Sequence, residues 1–294
     1  MTAYRSLSVA TLVRGRQCHF DHLVAGLAAQ KMAPDELVVA YMQESPPQLY
    51  PRLPFPVRFV HVPGEDLPLA AARNAAATAA AGEILAFLDV DCIPDRHFVV
   101  RAREASDARP KTVFLPEVRY LPASASGWLE LNVPDRPALE RAGQRHPAKP
   151  VLSSIDIAPV KDYGELWGLA FVIDRQDWFA AGGMDEAYVG YGGEETDFAQ
   201  RLRCATISLH WLGGTICYHQ HHAVHIPPLQ HFAAIVRNAQ IYRSHWGSWS
   251  MTYWLDEFER RGYIRKSGET IEVLAWPTRQ EIDACMQGPG VLFS

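Results

Sequence analysis

The chain has 294 residues, of which 48% are hydrophobic and 21% are charged, and its formal net charge is -5. This composition is typical of a globular protein with a sizeable core, and the slightly acidic balance argues against binding to nucleic acid or to an anionic membrane surface. Five widely scattered cysteines, never spaced as CxxC, favour neither a zinc ribbon nor a disulfide framework. We therefore expect a reducing, cytoplasmic environment.

The first apolar run is interpreted as a strand. SLSVATLV is followed by Arg14 and Arg16 rather than by a small-residue cleavage site, which is not the pattern of a signal peptide. Elsewhere no uninterrupted apolar stretch approaches the roughly 20 residues of a membrane span. We predict no integral membrane segment.

Strands and helices alternate along the first hundred residues. Apolar, β-branched runs predict strands at 7–13, 36–42, 57–62 and 83–90. Helical spacing and composition predict helices at 22–30 and 69–81. This alternation indicates a parallel sheet with right-handed crossovers, in which ligands bind at the carboxyl ends of the strands. The DVD triplet, Asp89 to Asp91, falls at such an end.

The rest of the chain is less regular. Further strands are predicted at 112–121, 169–175, 207–212 and 215–219. Residues 122–165, rich in Pro, Ser and charge, predict a long loop or a pair of short helices, and loops of that length are usually functional. A helix entered through glycines covers 191–205. Two amphipathic helices are expected within 228–262, and Thr278 with Glu281 forms a capping box for a last short helix.

Three short clusters could carry chemistry: DVD, GGEETD and CYHQHH. Taken singly, each has an ordinary explanation. The first could be a solvated loop, the second a helix start whose acidic residues complement the helix dipole, and the third a surface run of histidines.

Together the clusters fit one purpose. Carboxylates at one strand end and an imidazole at another supply the oxygen-rich, partly nitrogenous shell that suits Mn²⁺ or Mg²⁺, with open positions for phosphate oxygens. The remaining acidic residue, on a glycine-rich turn, can then act as a general base. These are the groups needed to displace a diphosphate leaving group.

The motifs resemble those of a known family. FLDVD after LAAARNAAA, followed by GGMDEAYVGYGGEETDFAQRL, is similar to the GT-A fold glycosyltransferases of family 2, and the second half resembles the C-terminal module of β-1,4-galactosyltransferases and chondroitin-polymerase-type enzymes. The resemblance covers roughly residues 7 to 225. It implies a Rossmann-like α/β fold, with a mixed, mainly parallel sheet flanked by helices, and an inverting, metal-dependent transferase.

The resemblance also assigns roles around the cation and the reacting groups. Asp91 and His219 would be metal ligands, with His222 as the alternative imidazole. Glu195 would be the general base and Glu194 a sugar-binding carboxylate. The remaining residues implied to bind the nucleotide-sugar donor are Thr11, Leu12, Val13, Arg14, Arg73, Asn74, Asp89, Val90, Trp167, Gly168 and Gly193.

Two aromatic residues are expected near the sugars. Tyr191 occupies a position where the family often stacks a tryptophan on the acceptor. Trp167 could shape the sugar pocket or simply belong to a buried strand; the residue pattern leaves both open.

The predicted organisation is a GT-A domain at 1–226 and a helical extension at 227–294 packed on it. Within the domain, 1–100 would bind the nucleotide sugar and 101–226 would supply the acceptor and catalytic half. The expected cofactor is Mn²⁺ or Mg²⁺. The expected partners are a nucleotide-diphosphate sugar donor, UDP-linked by resemblance, and a saccharide or other hydroxyl-bearing acceptor.

Two other functions use the same residues. A metal-dependent phosphohydrolase would need a second metal ion with more clustered ligands, and the sequence has no HxD or GDxHG-like run. A non-catalytic carbohydrate-binding relative would need neither a base at Glu195 nor an open metal site.

Overall fold

The computed structural model describes residues 4–50, 52–64, 66–123, 127–130 and 133–292. The strands within these ranges are β1 (Leu7–Val13), β2 (Glu36–Tyr41), β3 (Val57–His61), β4 (Ile84–Leu88), β5 (Cys92–Pro94), β6 (Thr112–Tyr120), β7 (Leu129–Glu130), β8 (Val133–Pro134), β9 (Gln144–Arg145), β10 (Ile157–Pro159), β11 (Ala170–Asp174), β12 (Ser208–His219), β13 (Ile264–Ser267) and β14 (Thr270–Val273). The helices are α1 (Gln17–Ala28), α2 (Leu69–Ala79), α3 (Phe98–Ala108), α4 (Arg136–Ala142), α5 (Arg175–Ala180), α6 (Glu194–Cys204), α7 (Phe232–Trp246), α8 (Thr252–Arg260) and α9 (Arg279–Ala284).

The central sheet confirms the predicted mixed, mainly parallel α/β fold. Its strand order is β10-β12-β6-β11-β4-β1-β2-β3, with β5 paired to β12 and β9 paired to β6. Strands β3, β2, β1 and β4 run parallel, β11 is antiparallel to both of its neighbours, and β6 and β12 return to the first direction. The carboxyl ends of β1, β4, β6 and β12 therefore share one edge.

Helices cover both faces of the sheet, which explains why its central strands read as continuous apolar runs. Along β1 every residue is buried, and alternate side chains enter different clusters. Val9 packs with α1 and α3, whereas Ala10 packs with α2, α5 and α6.

A short return strand brings the two ends of the candidate site together. Strand β4 ends at Leu88, the chain turns through the DVD triplet, and β5 then pairs antiparallel with β12. In this register Cys92 lies opposite His219. Asp91 is consequently delivered beside the histidine-rich end of β12.

Two strands predicted at 207–212 and 215–219 are one bulged strand, so that prediction was wrong. The register of β12 on β6 shifts between Leu212 and Ile216. A Cβ added at Gly213 would lie 2.0 Å from the Ser153 carbonyl oxygen, and Gly214 has a φ of +82°. The glycines read as a break because they interrupt the side-chain pattern, but they form a β-bulge in a continuous strand.

The region 122–165 contains more regular structure than the predicted loop or short helices. It holds α4, several two- or three-residue strands and a 3-10 helix at Tyr163–Glu165. Residues 124–126 and 131–132 of that prediction lie outside the described residues.

The C-terminal segment, predicted to be helical, also contains strands. It contains α7, α8 and α9, and also a hairpin of β13 and β14 that turns at Gly268, whose φ is +59°. The Thr278 capping box at the start of α9 is confirmed by both of its hydrogen bonds. Among the described residues, no helix combines the length and apolar character needed to cross a bilayer.

Phe258 belongs to the apolar cluster of this segment and is 0% exposed. We expect Phe258→Ala to lower the free energy of unfolding by about 3 kcal/mol, because the substitution leaves a cavity. Urea denaturation would measure this change. Phe179→Ala is the control, because Phe179 is 46% exposed and its loss should cost less than about 1 kcal/mol. Equal losses in the two variants would contradict the buried role of Phe258.

Candidate active site

One carboxylate and two imidazoles converge at the shared strand edge. The ligand atoms of Asp91, His219 and His222 all lie within 4.8 Å of one another. The His219 Nε2 atom is 3.4 Å from Asp91 Oδ1, and the His222 Nε2 atom is 3.7 Å from Asp91 Oδ2. The structure thus brings together all three residues predicted as metal ligands.

The protonation states of this cluster suit a cation. Burial lowers the pKa of His219, and it lowers the pKa of His222 to about 4, so both rings are neutral near pH 7. Burial alone would raise the pKa of Asp91, but His219 and Arg16 lower it overall. Asp91 Oδ1 is buried and has no hydrogen-bond partner among the described residues. An anionic oxygen with unused lone pairs beside two neutral imidazoles fits Mn²⁺ or a similar divalent ion.

Arg16 is a site residue that the sequence analysis missed. Its guanidinium forms a close ion pair with Asp91 Oδ2, and its backbone adopts a left-handed conformation with a φ of +56° immediately before α1. A usable signal existed, because β1 and β4 are neighbouring parallel strands and the residues that follow them meet at one edge.

A second group of charges surrounds Arg73, which is 2% exposed. Its Nη2 atom is 2.9 Å from Glu195 Oε1 and 3.3 Å from Asp89 Oδ1, and its Nη1 atom is 3.6 Å from Glu194 Oε1. One guanidinium on α2 therefore joins the first aspartate of the DVD triplet to both glutamates at the start of α6.

The three carboxylates around the single positive charge of Arg73 leave an excess of negative charge. Burial raises the pKa of Asp89 to about 7, with Asp91 and Glu195 adding to the effect and Arg73 opposing it. Burial, with a contribution from Glu195, likewise raises the pKa of Glu194 to about 7. Burial alone would lower the pKa of Arg73, but its three partners raise it. The cleft favours an additional positive charge.

The two adjacent glutamates differ in access to the cleft. The Glu194 side chain is 6% exposed, whereas the Glu195 side chain is 28% exposed. Gly168 allows this arrangement, because a Cβ at that position would lie 1.7 Å from Glu195 Oε1 and 2.4 Å from Arg73 Nη2. Gly193, with a φ of +95°, caps α6 and introduces the pair. Glu195 is the glutamate that an external group can reach.

Other residues predicted to bind the donor have varied surroundings. Thr11 and Val13 are 0% exposed at the end of β1, and within the described part of the chain the Thr11 hydroxyl has no hydrogen-bond partner. Val90 is also buried, whereas Arg14 is exposed. The amide of Asn74 pairs with both backbone groups of Met184, so this side chain has a structural partner in this conformation.

The aromatic residues form two distinct surfaces. The ring of Tyr191 is 40% exposed and stacks on His231 with centroids 4.8 Å apart. Trp167 lines a pocket in which the Lys149 ammonium lies 3.2 Å from the Trp167 ring centroid and 5.2 Å from that of Trp211. Asp91, His219 and His222 are called the cation cluster below. The pocket adjoins this cluster through Tyr120, whose ring centroid is 5.1 Å from that of His219.

Two family models match this chain. A model described as glycosyl transferase family 2 matches residues 36–138, and a model described as the N-terminal domain of galactosyltransferase matches residues 150–225. The first match includes the DVD triplet, and the second includes the GGEE sequence and His219. Both end before the C-terminal segment.

One curated protein is similar to this chain. The chain is 26% identical over 221 residues to validoxylamine A glucosyltransferase of Streptomyces hygroscopicus subsp. limoneus. The alignment covers 69% of this chain and 49% of the relative. The chain thus spans about half the length of the curated protein that it matches.

Solved structures share the fold at low identity. GalNAc-T7 in complex with UDP, GalNAc and Mn²⁺ is 16% identical with a TM-score of 0.52, covering 74% of this chain and 44% of that one. S. aureus TarS 1-349 in complex with UDP-GlcNAc is 15% identical with a TM-score of 0.55, covering 80% of this chain and 65% of that one. These likenesses show the fold.

The three-residue cluster predicts a measurable response to Mn²⁺. At a concentration 100 times the dissociation constant, Mn²⁺ should stabilise the wild type by about 2.7 kcal/mol and raise its melting temperature. We expect His219→Ala and His222→Ala to lose most of this shift, measured as the difference between samples with Mn²⁺ and with EDTA.

His221→Ala is the matched control for this experiment, because His221 adjoins His222 in sequence but does not belong to the cluster. It should retain the full shift. A wild-type shift that survives in His219→Ala and His222→Ala would contradict the assigned site.

The raised pKa of Glu194 predicts a pH-dependent stability. Its ordinary value is 4.5 and its value in the fold is about 7, so the protonated form favours folding. This contribution is full below pH 4.5 and is lost as the pH rises to about 7. We expect the metal-free wild type to lose stability over that window relative to Glu194→Gln, as measured by urea denaturation at several pH values.

Glu269→Gln, at a side chain that is 86% exposed, should follow the wild-type pH profile and is the control. Parallel profiles for the wild type and Glu194→Gln would show that burial does not disfavour the ionised glutamate.

Proposed function

We propose that the chain is a GT-A glycosyltransferase of family 2 that transfers a sugar from a UDP-linked donor to an acceptor hydroxyl, with inversion at the anomeric carbon; the family models and the curated relative support this proposal. The observation that carries the proposal is the pair of neighbouring charge clusters at one strand edge. Asp89 belongs to the Arg73 cluster, and Asp91, two residues later, belongs to the cation cluster. One bound molecule can therefore contact both charge clusters.

Asp91, His219 and His222 would hold the divalent cation. A bound Mn²⁺ or Mg²⁺ supplies positive charge that stabilises the diphosphate as it leaves. Similar structures were solved with UDP and Mn²⁺ (GalNAc-T7) and with UDP-GlcNAc (TarS), which supports a nucleotide-sugar donor for this chain. The ends of β1 and β4 are the proposed contact surface for the nucleotide.

Glu195 is the proposed general base. Its carboxylate is partly exposed, is fixed by Arg73 and faces no competing side chain from position 168. It would accept the proton of the acceptor hydroxyl as the hydroxyl oxygen bonds to the anomeric carbon and the carbon–diphosphate bond breaks on the opposite face. Glu194, more deeply buried, is proposed to accept a hydrogen bond from a sugar hydroxyl.

The proposed acceptor surface lies between the pocket lined by Trp167 and the stacked rings of Tyr191 and His231. A pocket of indole rings with a few charged groups suits a saccharide, which presents both apolar C–H faces and hydroxyl groups. Lys149 and Glu165 form an ion pair inside this pocket and could exchange it for hydroxyl groups. The stacked rings of Tyr191 and His231 offer a second platform close to Glu195.

The competing functions make different demands on the site. A two-metal phosphohydrolase needs a second group of ligands, and in the described part of the chain Asp91, His219 and His222 form the one such cluster. A pure binding module needs no general base, whereas Glu195 is a partly exposed glutamate held by a buried arginine, as the proposed proton transfer requires.

The test is incubation with UDP-glucose, UDP-galactose or UDP-N-acetylglucosamine, with Mn²⁺ and a panel of saccharides, followed by mass spectrometry. We expect a glycosylated product and UDP from the wild type. Glu195→Gln should lower kcat by about 100- to 10,000-fold, because the base is lost, while the affinity for UDP and Mn²⁺ stays within about twofold.

Glu140→Gln, on the exposed surface of α4, should leave turnover unchanged and is the control. Hydrolysis of the diphosphate bond of the donor to UMP and a sugar 1-phosphate, without transfer, would favour the phosphohydrolase. UDP-sugar binding with neither reaction would favour the binding module, and a fully active Glu195→Gln variant would overturn the role of that residue.

A further inference from the structure

The loop that introduces the two glutamates has an unusual backbone. Gly190, Gly192 and Gly193 have φ values of +78°, +90° and +95°, a region that other residues rarely adopt. The loop, residues 189–193, leads directly into Glu194 and Glu195 at the start of α6. Glycine permits this path but does not enforce it, so other groups must fix the conformation.

Asn238 supplies hydrogen bonds to this loop from α7. It is 0% exposed, and its Nδ2 atom donates to the carbonyl oxygens of Gly192 at 2.7 Å and Val189 at 3.2 Å, with that of Tyr191 at 3.5 Å. Its Oδ1 atom accepts from Arg237 Nε at 3.4 Å. Carbonyl oxygens can only accept, so the amide nitrogen must face the loop, and Arg237 holds it in that orientation.

Helix α7 and the residue that precedes α8 also restrict the loop sterically. A Cβ at Gly190 would lie 2.6 Å from the Ala234 Cβ, and a Cβ at Gly192 would lie 2.5 Å from the Met251 sulfur. Ala234 belongs to α7, and Met251 immediately precedes α8. Arg73 contacts Glu194 and Glu195 from the sheet side. The segment that carries the glutamates is therefore held between Arg73 and the C-terminal segment.

We propose that Asn238 is a positioning residue that fixes loop 189–193 and, through it, Glu194 and Glu195, so that the C-terminal segment completes the catalytic site. The catalytic part of this inference rests on the proposed role of Glu195. Both family models end before Asn238, at residue 225 or earlier. Loss of its amide would remove the 2.7 Å hydrogen bond to the Gly192 carbonyl, whereas the Val189 carbonyl would keep its bond from Arg237, and the loop would shift at Gly192 to find a new partner. A displacement of about 1 Å at the base can cost about 100-fold in rate.

The test variant is Asn238→Asp, which keeps the size of the side chain but replaces the donating nitrogen with an oxygen. We expect kcat for UDP-sugar turnover to fall about 100-fold while the affinity for UDP and Mn²⁺ stays within about twofold. Amide hydrogen exchange of a peptide spanning 189–195 should accelerate. An unchanged kcat in the variant, or equal losses in kcat and UDP affinity, would overturn the proposal.

Ile235→Val is the control for general destabilisation of α7. Ile235 is 0% exposed and packs in the apolar cluster of the C-terminal segment, where its truncation loosens the helix without removing a donor. It should leave kcat and the exchange of 189–195 close to wild type. If it lowers kcat as much as Asn238→Asp, the effect is structural and the proposal fails.

The exchange measurement separates this proposal from the proposed function. If the wild type transfers or hydrolyses no UDP-sugar, the proposed function fails, while faster exchange at 189–195 in Asn238→Asp alone still supports the positioning contact. If the exchange of that peptide is the same in the wild type and both variants, the positioning contact is overturned whatever the enzyme activity.

Discussion

The buried guanidinium of Arg73 is the interaction on which the rest of the site depends. It contacts the first aspartate of the DVD triplet and both glutamates of α6, which come from parts of the chain more than 100 residues apart. Removal of one member of such a buried group leaves uncompensated charge, which is costly in a low-dielectric interior. Arg73 therefore links the end of β4 to the start of α6 through electrostatics as well as through the packing of α2.

Much of the fold could be predicted from the sequence because buried parallel strands appear in it as continuous apolar runs. The strands at 7–13, 36–42 and 57–62 are present with bounds close to those expected, and so is the alanine-rich helix. The convergence of Asp91 with His219 and His222 was expected because a carboxylate and an imidazole stand at predicted strand ends and because the family resemblance implied these three residues. Its local cause, the return strand β5, is only three residues long and has no pattern of its own.

The missed features depend on contacts between residues distant in sequence. The glycines at 213–214 look like a break between strands, and only the neighbouring carbonyl groups of Ser153 and Ser154 show why they must be small. The hairpin of β13 and β14 is short and mostly polar, so its sequence shows little of the alternation between apolar and polar residues that predicts a strand. Asn238 lies in an amphipathic helix that gives no sign of which carbonyl groups it will meet. The sequence identifies residues with chemical capacity, whereas the fold decides which neighbours orient them.

Arg16 changes how a cation would enter the site. The guanidinium already neutralises Asp91 Oδ2, while Asp91 Oδ1 has no hydrogen-bond partner among the described residues. A divalent ion held by Oδ1 and the two imidazoles would therefore meet a second positive charge on the same carboxylate. Repulsion between these charges would weaken cation binding and push the Arg16 side chain, which belongs to the turn after β1, towards the mouth of the cleft.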